Sequence, residues 1–420
     1  MHRSLDDVLR RTRCKIKDVF RFLDLEPFDL SPDQVPRVTV LLGSSRSGSS
    51  LLFHLLSQSG AFWAPQGEET PFYRLADLGW VTSPSQSDEI RVPLTEEARA
   101  QAFQALINDL GRNLPDAPLA GRRYLAQSAV RLLLQWPLLD LQPTDLIAAL
   151  RTDNDGAYPL RPLEKLGLDA AFYDVPGARN LPHLQLEIPE LFLEEPPFIL
   201  QTPRAFPTPE ELRRTPLLLK TSSNAYRLQL LKTLFPHSEF RWIVLARNPA
   251  SSINGLIDGW QSNAFHAHNV GRFTTLKIGG YSDTFPYGEH WWKFDLPPGW
   301  SQYLSADLPE VCAFQWRSAY SCILKDVGHT GDQVLHVKYE DLLNPGRGFS
   351  ELERIFEFVQ SPPLKIPDLT STRPVMASKA PSPARWRQRE YVIWPLIQSA
   401  AVRDIAERLG YDLSSPDRLL

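Results

Sequence analysis

Chemistry is concentrated first around an arginine set in a short turn of glycines and serines. Val38-Thr-Val-Leu-Leu42 is an apolar, β-branched run that reads as a buried parallel strand. Gly43-Ser-Ser-Arg-Ser-Gly-Ser-Ser50 follows, and Leu51, Leu52, Leu55 and Leu56 then recur at helical spacing. Strand, tight turn and helix in that order aim backbone N–H groups and a helix N-terminus at an anion. Ser44, Ser45, Arg46, Ser47, Gly48, Ser49 and Ser50 are therefore the candidate binding residues. An ordinary Ser/Gly-rich connection between a strand and a helix is the alternative.

The frame Gly43-x4-Gly48 copies that of a nucleoside-triphosphate P-loop, which needs Gly-Lys-Ser/Thr next for the terminal phosphates and magnesium. Ser49 occupies the lysine position, and Arg46 is the loop's cation. An arginine fork carries its own charge to an oxyanion, so the loop suits a phosphate-like group handled without a metal. A second cation, Arg247, closes the apolar run Phe240–Ala246, and Asn248-Pro249 opens a helix carrying Ser251 and Ser252 in its first turn. That makes a second anion pocket, and a ligand with anions at both ends would bridge the two. Lys220 ends the short run Pro216–Leu219 and, by itself, equally fits a snorkelling surface residue. Glu68 and Glu69 follow Ala61-Phe-Trp-Ala64, a candidate strand, and suit either acid–base work or a solvated turn.

Arg46-Ser-Gly-Ser-Ser50 after a strand resembles the 5′-phosphosulfate loop of sulfotransferases that use 3′-phosphoadenosine 5′-phosphosulfate. Gly67-Glu-Glu-Thr70 is similar to tyrosylprotein sulfotransferases, and the resemblance puts the catalytic base at Glu69, with Glu68 the fallback. It also implies that Lys220 lies against the transferring group and that Arg247 holds the 3′-phosphate. Tyr339, in Tyr339-Glu-Asp-Leu342 after the strand from Gln333, is implied to contact the nucleotide, and Arg385 and Arg387, in Ser382–Arg389, to belong to a loop closing over the 3′-phosphate. Two departures stand out: Asn248 replaces the family's aspartate, and Gly255 occupies the place of its 3′-phosphate serine. Ser251, Ser252, Asn254 or a backbone N–H at Gly255 would have to supply the missing contact.

These residues need a frame of parallel strands ending on one edge. The expected fold is α/β, a P-loop-like three-layer α/β/α domain over 37–420, with 1–36 an amphipathic basic helix and linker. Residues 72–215 read as a mainly helical insertion, with helical patterns at 95–110 and 144–150. Further helices are expected at 224–235, 308–327, 348–359 and 390–410. Residues 260–308 are dense in Trp, Tyr and Phe, forming either the wall of an acceptor pocket or a satellite core.

Composition narrows the function classes. Hydrophobic content of 43% and charged content of 22% are those of a soluble globular chain, and a net charge of −4 argues against nucleic acid. Three cysteines form no disulfide framework, no run is long enough to cross a bilayer, and the N-terminus lacks a signal-peptide core, so the expectation is cytoplasmic. His266 and His268 lack a third ligand nearby in sequence, and no metal is expected. What the resemblance implies is sulfuryl transfer from 3′-phosphoadenosine 5′-phosphosulfate to a hydroxyl of a small, apolar or aromatic molecule. A P-loop kinase and a nucleotide-binding scaffold without turnover are the alternatives, and homo-oligomerisation is left open.

Overall fold

The computed structural model describes residues 4–26, 28, 30–90, 92–112, 121–151, 165–168, 172–173, 192–195, 198–262, 265–285, 287–369 and 382–419. Its strands are β1 (Arg37–Leu42), β2 (Leu217–Leu219), β3 (Glu239–Ala246), β4 (Ala267–Asn269), β5 (Trp291–Lys293) and β6 (Gln333–Lys338). Four of them form one sheet in the order β2-β1-β3-β6, every neighbouring pair parallel. Parallel pairing puts all four carboxyl ends on one edge. The chain leaves β1 toward β2 on one side and leaves β3 toward β6 on the other. The crevice between those exits is where open α/β sheets bind ligands.

Both faces of the sheet are covered, as its near-continuous apolar strands require. Val38, Val40, Leu42, Phe240, Trp242 and Val244 join the main core, whereas Leu41, Leu218, Ile243, Leu245 and Val337 pack on the other face. Successive strand residues point to opposite faces, so one strand feeds both cores. The second face is closed by α2 (Ser49–Gln58) and by Leu352, Ile355 and Phe356 of a late helix, Gly348–Val359.

In chain order α1 is Leu5–Phe22, α3 Thr70–Leu75, α4 Glu96–Asn108, α5 Arg122–Gln135, α6 Pro143–Leu150 and α7 Pro209–Arg214. They continue as α8 (Leu228–Leu234), α9 (Pro249–Trp260), α10 (Leu308–Thr330), α11 (Tyr339–Leu343), α12 (Gly348–Val359), α13 (Glu390–Ile397) and α14 (Ala400–Arg408). The described part of 72–215 carries α4, α5, α6 and α7 joined by turns and isolated bridges, Arg112 with Ala205 among them, while the proline-rich stretch 156–162 lies outside the described residues. The basic face of α1 is a solvated one: Arg10 and Arg11 pair with Asp7, and Arg21 with Asp18, while Val8, Leu9, Val19 and Phe20 are buried. Among the described residues no helix is long and apolar enough to cross a membrane.

Three expectations are corrected, and one helix is added. Residues 61–64 make only isolated bridges, Trp63 with Leu217 and Ala64 with Gly111, because Pro65 has no N–H to extend the ladder. The helix expected at 224–235 is a 3₁₀ turn, Ser222–Tyr226, followed by α8. The closing helix is two, α13 and α14, broken at Gln398–Ser399 after Pro395. Helix α5 was not anticipated: it is buried from Tyr124 through Gln135, so it lacks an amphipathic stripe.

One polar hub ties these parts together behind the crevice. Arg227 and Asp88 are wholly buried and paired at 2.8 Å, and Asp88 also accepts hydrogen bonds from Ser223 and the Leu296 N–H. Arg227→Ala should cost about 3–5 kcal/mol by leaving a buried carboxylate unpaired. Denaturant unfolding checks this. A loss no larger than that of Arg10→Ala, which deletes an exposed pair, would contradict it.

Candidate functional site

The loop after β1 is shaped by two close approaches. A β-carbon at Gly43 would lie 2.8 Å from the Leu245 carbonyl oxygen, and one at Gly48 would lie 2.2 Å from the Tyr339 ring. Gly48 also has φ +93, and Arg46 takes a left-handed φ of 67, unusual for a residue with a side chain. The turn therefore hugs β3 and α11, and α2 begins at Ser49 with its first N–H groups facing the crevice.

Arg46, Arg247, Arg385 and Lys220 all line one cavity of about 240 Å³ at this crevice. Ser45, Gly48, Ser49, Ser50, Ser251, Gly255 and Tyr339 share that wall. Burial and the repelling charge of Arg247 push Arg46 down to about 10, with Asp258 opposing and Arg385 adding to the repulsion. Arg46 thus stays a cation at neutral pH, but a crowded one that an anion would relieve. Its guanidinium lies 4.5 Å from the Phe265 ring centroid. Arg247 donates to the Arg46 carbonyl at 3.1 Å and sits over the Tyr339 ring at 4.8 Å.

The departure at Asn248 has a structural reason. Asn248 Oδ1 caps α9 by accepting from the Ser251 N–H at 2.7 Å, while Nδ2 donates to Glu340 at 2.9 Å. An aspartate would cap equally well but repel Glu340. At Gly255 a β-carbon would come 3.4 Å from Arg46 Cβ, an ordinary contact, so the stem of Arg46 packs beside this position without excluding a small side chain. Asn254 and Ser251 line the cavity beside it, and Arg385 and Arg389 both pair with Asp258. Arg387 points elsewhere, to Glu390 and Asp417.

The two glutamates occupy different environments. Glu68 lines the cavity, with Lys220 Nζ 2.7 Å from Oε1 and the Thr221 hydroxyl donating to Oε2 at 2.7 Å. Burial raises its pKa, but the Lys220 charge and the hydrogen bonds from Lys220 and Thr221 outweigh that and hold it below the usual glutamate value. Lys220 also reaches Ser50 Oγ at 3.3 Å, linking the carboxylate to the anion loop. Glu69 is fully buried behind this wall and is not among the cavity's lining residues. It accepts from Asn224 Nδ2 at 2.5 Å and from the Lys220 N–H at 3.3 Å. Burial pushes it up to about 7. Ser44 and Ser47 are likewise buried in the turn and off the cavity wall.

Phe265 and Phe294 of the aromatic segment line the cavity, together with Trp386, which sequence reasoning did not single out. Trp260, Tyr281, Trp291, Trp292 and Trp300 of the same segment are core residues. His266 also lines the cavity, with Nε2 3.2 Å from Glu195 Oε2. Burial, His268 and Arg74 push it down, so it is neutral at neutral pH. Glu195, His266 and His268 are close enough together to hold a metal ion. Arg74, however, contacts the same Glu195 oxygen at 3.1 Å and His268 Nδ1 at 3.3 Å, supplying positive charge at that spot. No signal short of the three-dimensional fold brings Glu195 to these histidines.

No protein-family model matches the chain, and no curated protein matches it. Among solved structures, the sulfotransferase domain of the Synechococcus PCC 7002 olefin synthase is similar at 16% identity, over 92% of this chain and 98% of that one, with TM-score 0.39. The sulfotransferase domain from the curacin biosynthetic pathway is similar at 15% identity, over 90% and 98%, with TM-score 0.37. The sulfotransferase STF1 from Mycobacterium tuberculosis H37Rv is similar at 12% identity, over 95% and 81%, with TM-score 0.34. At these scores the likenesses carry no argument about the site, whose chemistry rests on the cavity itself.

Proposed function

We propose that this protein is a sulfotransferase that moves a sulfuryl group from 3′-phosphoadenosine 5′-phosphosulfate to a hydroxyl of a small apolar or aromatic acceptor. The observation that carries this is the crowding of Arg46, Arg247, Arg385 and Lys220 on one cavity, where Glu68 is the one carboxylate among the described lining residues. Such a set calls for a ligand with several anionic groups. It presents two arginine cradles and, among the described residues, no cluster of carboxylates for magnesium.

Bound there, the donor supplies the sulfuryl group. Arg46, Lys220 and the N–H groups at the start of α2 stabilise charge on the sulfuryl oxygens and on the departing 5′-phosphate. Arg247, with Ser251 and Asn254, holds the 3′-phosphate end. Tyr339, packed on Gly48 and under Arg247, offers its ring as a wall for the adenosine. An acceptor oxygen forms its bond to sulfur as the bond from sulfur to the phosphate oxygen breaks, and its proton passes to Glu68. The resemblance assigned that proton to Glu69, but Glu68 is the one on the wall. Sharing Lys220 with an incoming anion weakens its hold on Glu68 and raises that carboxylate's basicity. Phe265, Phe294, Leu343, Leu369 and Trp386 form the apolar lining that suits an apolar acceptor. His266, neutral and backed by Glu195, lines the same wall.

The test is transfer of labelled sulfuryl from this donor to a panel of phenols and alcohols, with and without chelator, against magnesium-ATP as rival donor. Chelator-insensitive sulfated product is expected. Phosphorylated product from magnesium-ATP would overturn the proposal.

A further inference from the structure

We infer that Asp295 is a positioning residue for this transfer, locking the anion loop to the acceptor-side wall through the Ser45 hydroxyl. The inference rests on the donor reading above and concerns a residue none of the motifs contains. Asp295 is 1% exposed, two residues beyond β5. Its Oδ1 accepts from Ser45 Oγ at 2.6 Å and its Oδ2 from the Tyr226 hydroxyl at 2.6 Å. Both are short O–H···O⁻ bonds of the charge-assisted kind.

The anchor is itself held rigidly. Asp295's carbonyl accepts from Trp292 Nε1 at 3.0 Å and Gln315 Nε2 at 2.8 Å, and the next N–H, Leu296, donates to buried Asp88 at 2.9 Å. Its target needs holding. Arg46 follows Ser45 with a left-handed φ of 67, a conformation that persists only where surroundings impose it. A closed circuit results: Arg46 lies over Phe265, Phe265 meets Phe294 at 5.4 Å, Phe294 precedes Asp295, and Asp295 returns to Ser45. Phe294 also has a left-handed φ, 65, so both ends of the circuit are strained backbone braced by one another. Burial pushes Asp295 up to about 6, which leaves it mainly a carboxylate at neutral pH, able to accept both hydroxyl protons. With its proton committed to Asp295, the Ser45 hydroxyl fixes this residue on the cavity wall immediately before Arg46, which lines the same cavity.

The test is a double-mutant cycle read by calorimetry with adenosine 3′,5′-bisphosphate. Asp295→Asn and Ser45→Ala should each raise its Kd by about tenfold, the scale of one charge-assisted hydrogen bond. The double variant should be no worse than the weaker single, because both break the same link. Tyr226→Phe, which cuts only the other link, should leave Kd unchanged, and acceptor KM at saturating donor should hold in every variant. Additive losses, or an unchanged Kd in Ser45→Ala, would overturn the role of Asp295. A wild-type protein that ignores the bisphosphate would instead overturn the donor reading itself.

Discussion

Glu68→Gln should lower turnover by about 10²–10⁴-fold, the span a positioned general base contributes, while binding of adenosine 3′,5′-bisphosphate stays near wild type. Glutamine keeps the shape of the side chain, and Lys220 remains beside the anion loop. What disappears is a group on the cavity wall able to receive the acceptor's proton. Glu69→Gln should behave differently. Its amide would face two donors, Asn224 Nδ2 and the Lys220 N–H, so the expected losses are stability and the placement of Lys220. The pH dependence separates the two further. Glu69 has a folded pKa raised from 4.5 to about 7, so its contribution to stability is complete below 4.5 and is lost as pH rises through about 7. Glu69→Gln should flatten stability against pH in that window, and Glu68→Gln should not. If Glu69→Gln abolishes turnover with stability intact while Glu68→Gln is harmless, the base is Glu69. Survival of both with loss in His266→Ala would move the role to His266.

Arg247→Ala should weaken adenosine 3′,5′-bisphosphate by about 10–100-fold, the range for losing one charge-assisted contact, and barely affect adenosine 5′-phosphosulfate. Arg247 sits at the carboxyl end of β3, on the far side of the switch point from the body of the loop. Competition calorimetry with the two nucleotides checks this. Equal weakening would mean that Arg247 acts only through the Arg46 carbonyl it holds and the Tyr339 ring beneath it. Arg46→Ala is the converse case, since its guanidinium serves the 5′ end and should weaken both ligands together.

The strands that carry these residues were legible because a doubly covered parallel sheet demands unbroken apolar runs, as in Val38–Leu42 and Phe240–Ala246. The loop was legible because Gly48 and the serines around Arg46 have few other uses between a strand and a helix. The distinction between Glu68 and Glu69 was not, since adjacent residues differ only in which way the turn into α3 points them. Asp295, Glu195 and Asp88 were also hidden. Each meets its partners across a long stretch of chain, Asp295 to Ser45 and Asp88 to Arg227 being joined only by the folded core. Helix α5 lacked a periodic stripe because both its sides are buried. The replacements at Asn248 and Gly255 looked like losses in the sequence. Glu340 explains Asn248 in three dimensions, whereas nothing in the packing around Gly255 demands a glycine.

The most direct measurement is calorimetric titration of the wild-type protein with adenosine 3′,5′-bisphosphate in the presence of chelator. Saturable binding that vanishes in Arg46→Ala/Arg247→Ala is the predicted result. No heat with this ligand, alongside tight uptake of magnesium-ATP, would contradict the assignment of the paired arginine cradles.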